Sequence, residues 1–215
     1  MSAVEGKAKA PRLEGSVLAT MPVALLEATR SHDRPGEVLE DENLSVSLPR
    51  RLGLSDVIEN QIFRYDTAAR AGRRIPLDEF VSLLKLVLRR PDAEPILHEA
   101  GARVATRQFD NTPGFLVSLV RVLPRALAFV FVARAVRKLI RDITGSRHVD
   151  VRGKPLSVQL HQPVTAHLEP VGVSCALYGA AFEEITSLYL RKKARVAHSR
   201  CVINGGSICE WQAEV

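Results

Sequence analysis

The most specific chemistry in this sequence lies in three cysteines and one histidine near its end: Cys175, His198, Cys201 and Cys209. Twenty-two residues separate the first two, two separate the next pair, and seven the last. Thiolate sulfur and imidazole nitrogen are the donors a tetrahedral zinc ion takes, at about 2.3 Å and about 2.0–2.1 Å. The spacing is not the paired Cys-x-x-Cys of a zinc ribbon, so two readings stand at this point. Either the four side chains hold one ion, or the cysteines are small apolar core residues, a common fate of free cysteine. Side chains alternate along a strand, so His198 and Cys201 point to opposite faces unless a bend or bulge near Ser199-Arg200 intervenes. Asn204-Gly205-Gly206 is a hairpin turn that folds Cys209 back beside Cys201. Cys175, at the start of the preceding helix, is placed to close the fourth corner.

The ending Cys201-Val-Ile-Asn-Gly-Gly-Ser-Ile-Cys209-Glu-Trp resembles the C-terminal signature of the 4-vinyl-reductase-type domain. That family shares its ligand-binding fold with subunits of the TRAPP vesicle-tethering complex, and phenol-sensing bacterial transcription activators carry a relative of it. The resemblance covers roughly residues 115–215 and is strongest toward the end. The family pattern is a Cys at a helix start, a polar ligand three residues before a second Cys, and a third Cys eight residues on. Here it falls on Cys175, His198, Cys201 and Cys209, with His198 replacing a carboxylate. In the aromatic sensors these groups hold zinc beside the ligand pocket, so the resemblance implies zinc as cofactor. It also implies a pocket for a small hydrophobic molecule (aromatic, lipid or tetrapyrrole) and a homodimer. The phenol sensors hold their ligand with a His and a Trp ahead of the first cysteine. The only tryptophan here, Trp211, follows the last one, so phenol is not the expected ligand. The 215 residues show no attached ATPase or DNA-binding module, and a stand-alone version is expected.

Three thiolates, one neutral imidazole and a dication sum to −1 and fill a tetrahedron, leaving no open position. Such a site staples the final hairpin and does not activate water. No catalytic residues are assigned elsewhere. Neither Gly-x-Gly-x-x-Gly nor Gly-x-x-x-x-Gly-Lys occurs. Glu183 and Glu184 read as a solvated pair. His98, His148, His161 and His167 are scattered, and Tyr189-Leu-Arg-Lys does not supply the Tyr-x-Ser-x-Arg of a haem-nitric-oxide domain. A non-catalytic ligand-binding, sensory or scaffold domain is therefore expected. Two alternatives stay open: an accessory enzyme or carrier in bacteriochlorophyll synthesis, and a structural subunit tethered to a larger assembly through its N-terminal segment.

The elements that must position these residues follow from patterning. Residues 1–50 carry prolines at 11, 22, 35 and 49, an acidic cluster at Glu37, Glu40, Asp41 and Glu42, and a net charge of −2 against +8 for the rest. They read as a flexible arm, with a short helix at Val23–Ala28 and a strand or docking segment at Leu44–Leu48. Residues 51–215 form a single α+β ligand-binding domain. Helical spacing runs from Ser55 to Gly72, from Pro76 to Arg90, and over 92–106 with a bend at Pro95. A long helix or helix pair jointed at Pro124 runs from Pro113 to Gly145. Its apolar side suggests pocket residues Phe115, Leu119, Phe129 and Phe131, with Tyr178 from the later helix. After Gly145 the period changes to two paired strands around Gly153-Lys154, another strand within Val164–Val173, a helix over Ser174–Leu190, and a final hairpin. The fold class is α+β: a helical N-terminal half packed on a small antiparallel sheet, with a zinc-stapled C-terminal hairpin.

Composition bounds the rest. At 46% hydrophobic and 25% charged, the chain is neither disordered nor fibrous. The N-terminus lacks the layout of a secretory signal, and the longest apolar run, Ala126–Ala133, is too short to span a membrane. A cytoplasmic protein is expected. The net charge of +6 permits anionic partners or peripheral membrane contact, but few aromatics interleave Arg121, Arg125, Arg134, Arg137, Lys138 and Arg141, so nucleic acid is disfavoured.

Overall fold

The computed structural model describes residues 15–33, 56–145, 148–153, 155–161, 163, 165, 168–204 and 206–214. Strand β1 (Ser16–Leu18) leads into α1 (Thr20–His32). Then follow α2 (Asp56–Arg70), β2 (Arg74–Pro76), α3 (Leu77–Leu88), α4 (Ala93–Asp110), α5 (Gly114–Val122) and α6 (Arg125–Thr144). The second half comprises β3 (Val149–Gly153), β4 (Leu156–His161), α7 (Cys175–Leu190), β5 (Arg195–Arg200) and β6 (Ile208–Glu214). β1 and β2 form a two-stranded antiparallel ribbon, and the larger antiparallel sheet has the order β3-β4-β6-β5. The α+β class, with a helical first half and the cysteines and histidine gathered at a C-terminal hairpin, matches the sequence expectation.

The flexible-arm reading is overturned for residues 15–33. Val17 of β1 is buried, and so are Met21, Pro22, Val23, Ala24, Leu25 and Ala28 of α1, so the first half of this helix is enclosed by the core on more than one side. Pro22 sits in the first turn, where its missing N–H costs no helical hydrogen bond. α1 packs on α4 through Glu27 and Glu99: Arg107 reaches Glu27 at 2.6 Å, while Ser31 and Arg103 both donate to Glu99. The segment Leu44–Leu48 lies outside the described residues.

Prolines and glycines divide the helices as steric rules require. Pro124, with ψ of 142°, separates α5 from α6. Pro95 falls in the first turn of α4, so that helix runs unbroken to Asp110 instead of bending. Gly72 and Gly145 take positive φ of 63° and 66° just after α2 and α6, the left-handed turn that only glycine adopts cheaply. Pro76 closes β2 and precedes α3, one residue later than the sequence suggests. Within the proposed strand of residues 164–173, the described residues form turns and bends that feed α7, not a strand.

α7 lies at the centre, packed on α4, α6 and β5. Gly101 of α4 makes the first contact close: a Cβ there would stand 2.3 Å from the Leu177 carbonyl oxygen. Cys175 opens α7 on one side of this packing, and the β5–β6 hairpin brings the other three residues to it.

Candidate metal centre

Cys175 is fixed by the entry to α7. Its N–H donates to Gly172 at 3.0 Å, and the buried hydroxyl of neighbouring Ser174 donates to the Thr165 carbonyl at 2.6 Å. The hairpin supplies the rest through register. His198 pairs with Trp211, and Arg200 pairs with Glu210, so β5 advances two residues where β6 advances one. Ser199 is the extra residue of a β-bulge, and its hydroxyl donates to the Glu210 carbonyl at 3.2 Å. The bulge sets which face each following side chain takes. Arg200 shares a face with Glu210, 3.6 Å away, and Cys201 therefore returns to the face of His198, Trp211 and Cys209. This is the irregularity that the odd His198–Cys201 spacing requires.

Beyond Cys201 a single 3₁₀ turn, Val202–Asn204, reverses the chain. The Val202 N–H points at the Cys209 sulfur at 3.5 Å, and the Cys201 and Cys209 sulfurs stand 3.7 Å apart. That separation is far from a disulfide and equals the edge of a tetrahedron with metal–sulfur bonds of about 2.3 Å, about 3.8 Å. One ligating atom from each of Cys175, His198, Cys201 and Cys209 lies within 4.8 Å of every other. The widest pair needs to close by only about 1 Å to reach that edge. The four donors thus fit a soft or borderline divalent ion, and all four sequence-derived ligands are brought together.

The cysteines also respond to one another electrostatically. Cys209 is held down to about 4 by a hydrogen bond from Cys175; burial opposes this, and His198 and the Val202 N–H assist it. Cys175 is pushed far up, first by its hydrogen bond to Cys209 and then by burial. One negative charge is accommodated and a second is resisted, which is the condition a bound dication relieves.

Several supporting residues were not foreseen. Trp211 lies flat against His198 and packs at a steep angle against Tyr178, with ring centroids 5.9 Å apart. Gly179, one turn after Cys175, leaves room for the indole: a Cβ there would be 3.3 Å from it. Glu183, expected to be solvated, is half-buried and accepts the Val196 N–H at 3.0 Å, tying α7 to β5. The i, i+4 spacing of Cys175 and Gly179, which places Gly179 one turn further along the same helix face, was the available signal for the Gly179–Trp211 contact. A cleft of about 390 Å³ borders the cluster, lined by Glu94, His98 and Glu183 together with Cys175, His198 and Trp211. His161 instead contacts Asp150 at 3.2 Å, and His167 is outside the described residues.

The five suggested pocket residues lie in different surroundings. Phe115 is 72% exposed and Leu119 47% exposed, because they lie on the outward side of α5. Phe129 packs half-buried against the core, and Tyr178 is buried with its hydroxyl 2.6 Å from that of Thr165. Phe131 lines a cavity of about 480 Å³ among α4, α5, α6 and Tyr189 of α7. The space lies between helices, away from the four-stranded sheet.

No helix among the described residues is long and apolar enough to cross a membrane. No family model, curated protein or solved structure matches this chain.

Proposed function

We propose that this chain is a non-catalytic, small-molecule-binding domain of the 4-vinyl-reductase type, whose C-terminal hairpin is stapled by a structural zinc ion. The observation that supports the reading is the convergence of Cys175, His198, Cys201 and Cys209 from a helix, a bulged strand, a turn and a second strand. Three sulfurs and one imidazole suit zinc, and four protein donors leave a tetrahedral ion no position for water. The ion then links α7 to β5 and β6, and its binding free energy becomes folding free energy. The cytoplasm, where thiols stay reduced, is the compartment this chemistry favours.

The ligand would occupy the cavity among α4, α5 and α6, whose volume lies in the range of small-molecule sites. A filled cavity favours one packing of α5 and α6 and so alters the surface they present. A second reading, an assembly subunit or homodimer, is favoured by that surface: Phe115, Leu119, Val122, Leu127 and Val130 are all exposed on α5 and α6.

Metal analysis of protein purified without affinity metals is expected to give about one zinc per chain, and Cys201→Ser to lose both metal and stability. A metal-free preparation that is equally stable overturns the staple. Organic extraction and mass spectrometry identify any resident small molecule, and a co-purifying pigment would direct attention to tetrapyrrole chemistry.

A further inference from the structure

The cavity among α4, α5 and α6 is apolar inside and positively charged at its mouth. Val104, Val120 and Leu139 form a buried floor, with Leu116 and Phe131 as half-buried walls. Four charged side chains also line it, and two of them are neutralised. Arg107 is engaged by Glu27 at 2.6 Å, and Asp142 is engaged by Arg74 at 3.1 Å. Arg134 and Lys138 remain. Both are exposed, and neither has an ion-pair partner among the described residues. They are one turn apart on α6, a spacing at which like charges face each other and repel. An anion between them removes that repulsion and gains a charge-assisted hydrogen bond from each.

We propose that this cavity binds an amphiphilic anion, its apolar tail on the Val104–Val120–Leu139 floor and its carboxylate or phosphate head between Arg134 and Lys138. The inference rests on the ligand-binding reading above and adds the class of ligand. The tail contributes area removed from water, and the head contributes selection. Neutral hydrocarbons gain only the first. Cations of the same length meet two like charges.

Four probes with one tail separate the terms: decanoate, decyl phosphate, decanol and decylamine, titrated calorimetrically below their micelle-forming concentrations into the full chain. Decanoate or decyl phosphate, or both, are expected to bind at least tenfold more tightly than decanol, and decylamine more weakly than decanol. The preferred anion distinguishes a carboxylate from a phosphate head. Arg134→Gln with Lys138→Gln should abolish the preference while leaving decanol affinity unchanged, which a merely unfolded variant would not do. Val120→Trp, filling the floor, should weaken all four. Failure of both decanoate and decyl phosphate to bind more tightly than decanol overturns the headgroup assignment but leaves the ligand-binding reading standing. Binding of none of the four overturns both.

Discussion

The imidazole of His198 lies parallel to the indole of Trp211, with ring centroids 4.7 Å apart and planes within 8°. His198 is exposed and directly opposite Trp211 in the β5–β6 register, so the indole is the surface against which this imidazole is oriented. Trp211 is itself buried against Gly179. Replacement by Ala removes a large buried side chain and the platform together. Trp211→Ala is expected to cost about 3–5 kcal/mol of stability by urea unfolding. Trp211→Phe, retaining an aromatic surface, should cost less and keep the metal. A variant without Trp211 that is as stable as the parent contradicts this account.

Removal of the ion is a second test. If the site is nearly saturated at 100 times the dissociation constant, metal contributes about 2.7 kcal/mol. For a domain of this size that corresponds to roughly 5–11 °C in Tm. A strong chelator should lower Tm by that amount, and added zinc should restore it. Cys209→Ser should produce the same loss and make the protein insensitive to both reagents.

The metal-free protein should show a stability maximum near the ordinary thiol pKa of about 8.5. Cys209 is held down to about 4 by its hydrogen bond from Cys175, so its contribution is complete above the unfolded value and is lost as pH falls toward 4. Cys175 is pushed up through its hydrogen bond to Cys209 and by burial, so its contribution is complete below the unfolded value and is lost as pH rises beyond it. Urea midpoints of chelated protein between about pH 5 and pH 10 should therefore fall on both sides. Cys175→Ala should flatten the alkaline limb, and a monotonic profile in the parent would count against the coupling.

Gly101 marks the closest approach of two helices. In an exposed helix, Gly→Ala stabilises by up to about 1 kcal/mol. Here the new methyl would meet Leu177 O at 2.3 Å and Ala181 N at 3.0 Å, backbone atoms that cannot rotate away. Overpacking of this kind costs about 1–3 kcal/mol, so steric conflict outweighs propensity. Gly101→Ala should lower the urea midpoint, and because α7 carries Cys175, it should also weaken metal retention.

The first helix provides another discriminating experiment. Leu25 is buried in the core, and Leu25→Ala is expected to cost about 2–5 kcal/mol. Deleting residues 15–33 should yield a protein without a cooperative unfolding transition, whereas a dispensable arm would leave it intact.

The cysteine–histidine cluster was legible in sequence because sulfur and imidazole donors are rare residue types and because strand alternation makes an odd spacing demand a bulge. The α+β class followed from the change of hydrophobic period after Gly145. The first helix is legible in sequence only as the short segment Val23–Ala28, which lies inside α1; the prolines and acidic residues around it give the whole window the composition of an arm and hide its burial. The suggested pocket residues are dispersed for a different reason. Helical spacing identifies an apolar face, but Phe115 and Leu119 stand on a helix with apolar residues on both sides, and only tertiary packing decides which side is inside. Phe131 ended on the cavity, and Phe115 on the surface.

The bulge at Ser199 reaches beyond the cysteine–histidine cluster. β5 is an outer strand of its sheet, with one side paired to β6 and the other lacking a neighbouring strand among the described residues. A flat, regular strand in that position is a template on which a second chain can add. The displaced residue interrupts its repeat, and exposed Arg195 and Arg200 place charge along it. The same extra residue that swings Cys201 toward its companions thus protects the ribbon against edge-to-edge aggregation, so a deletion of Ser199 would remove a safeguard against fibrillar association as well as turn Cys201 away from the cluster.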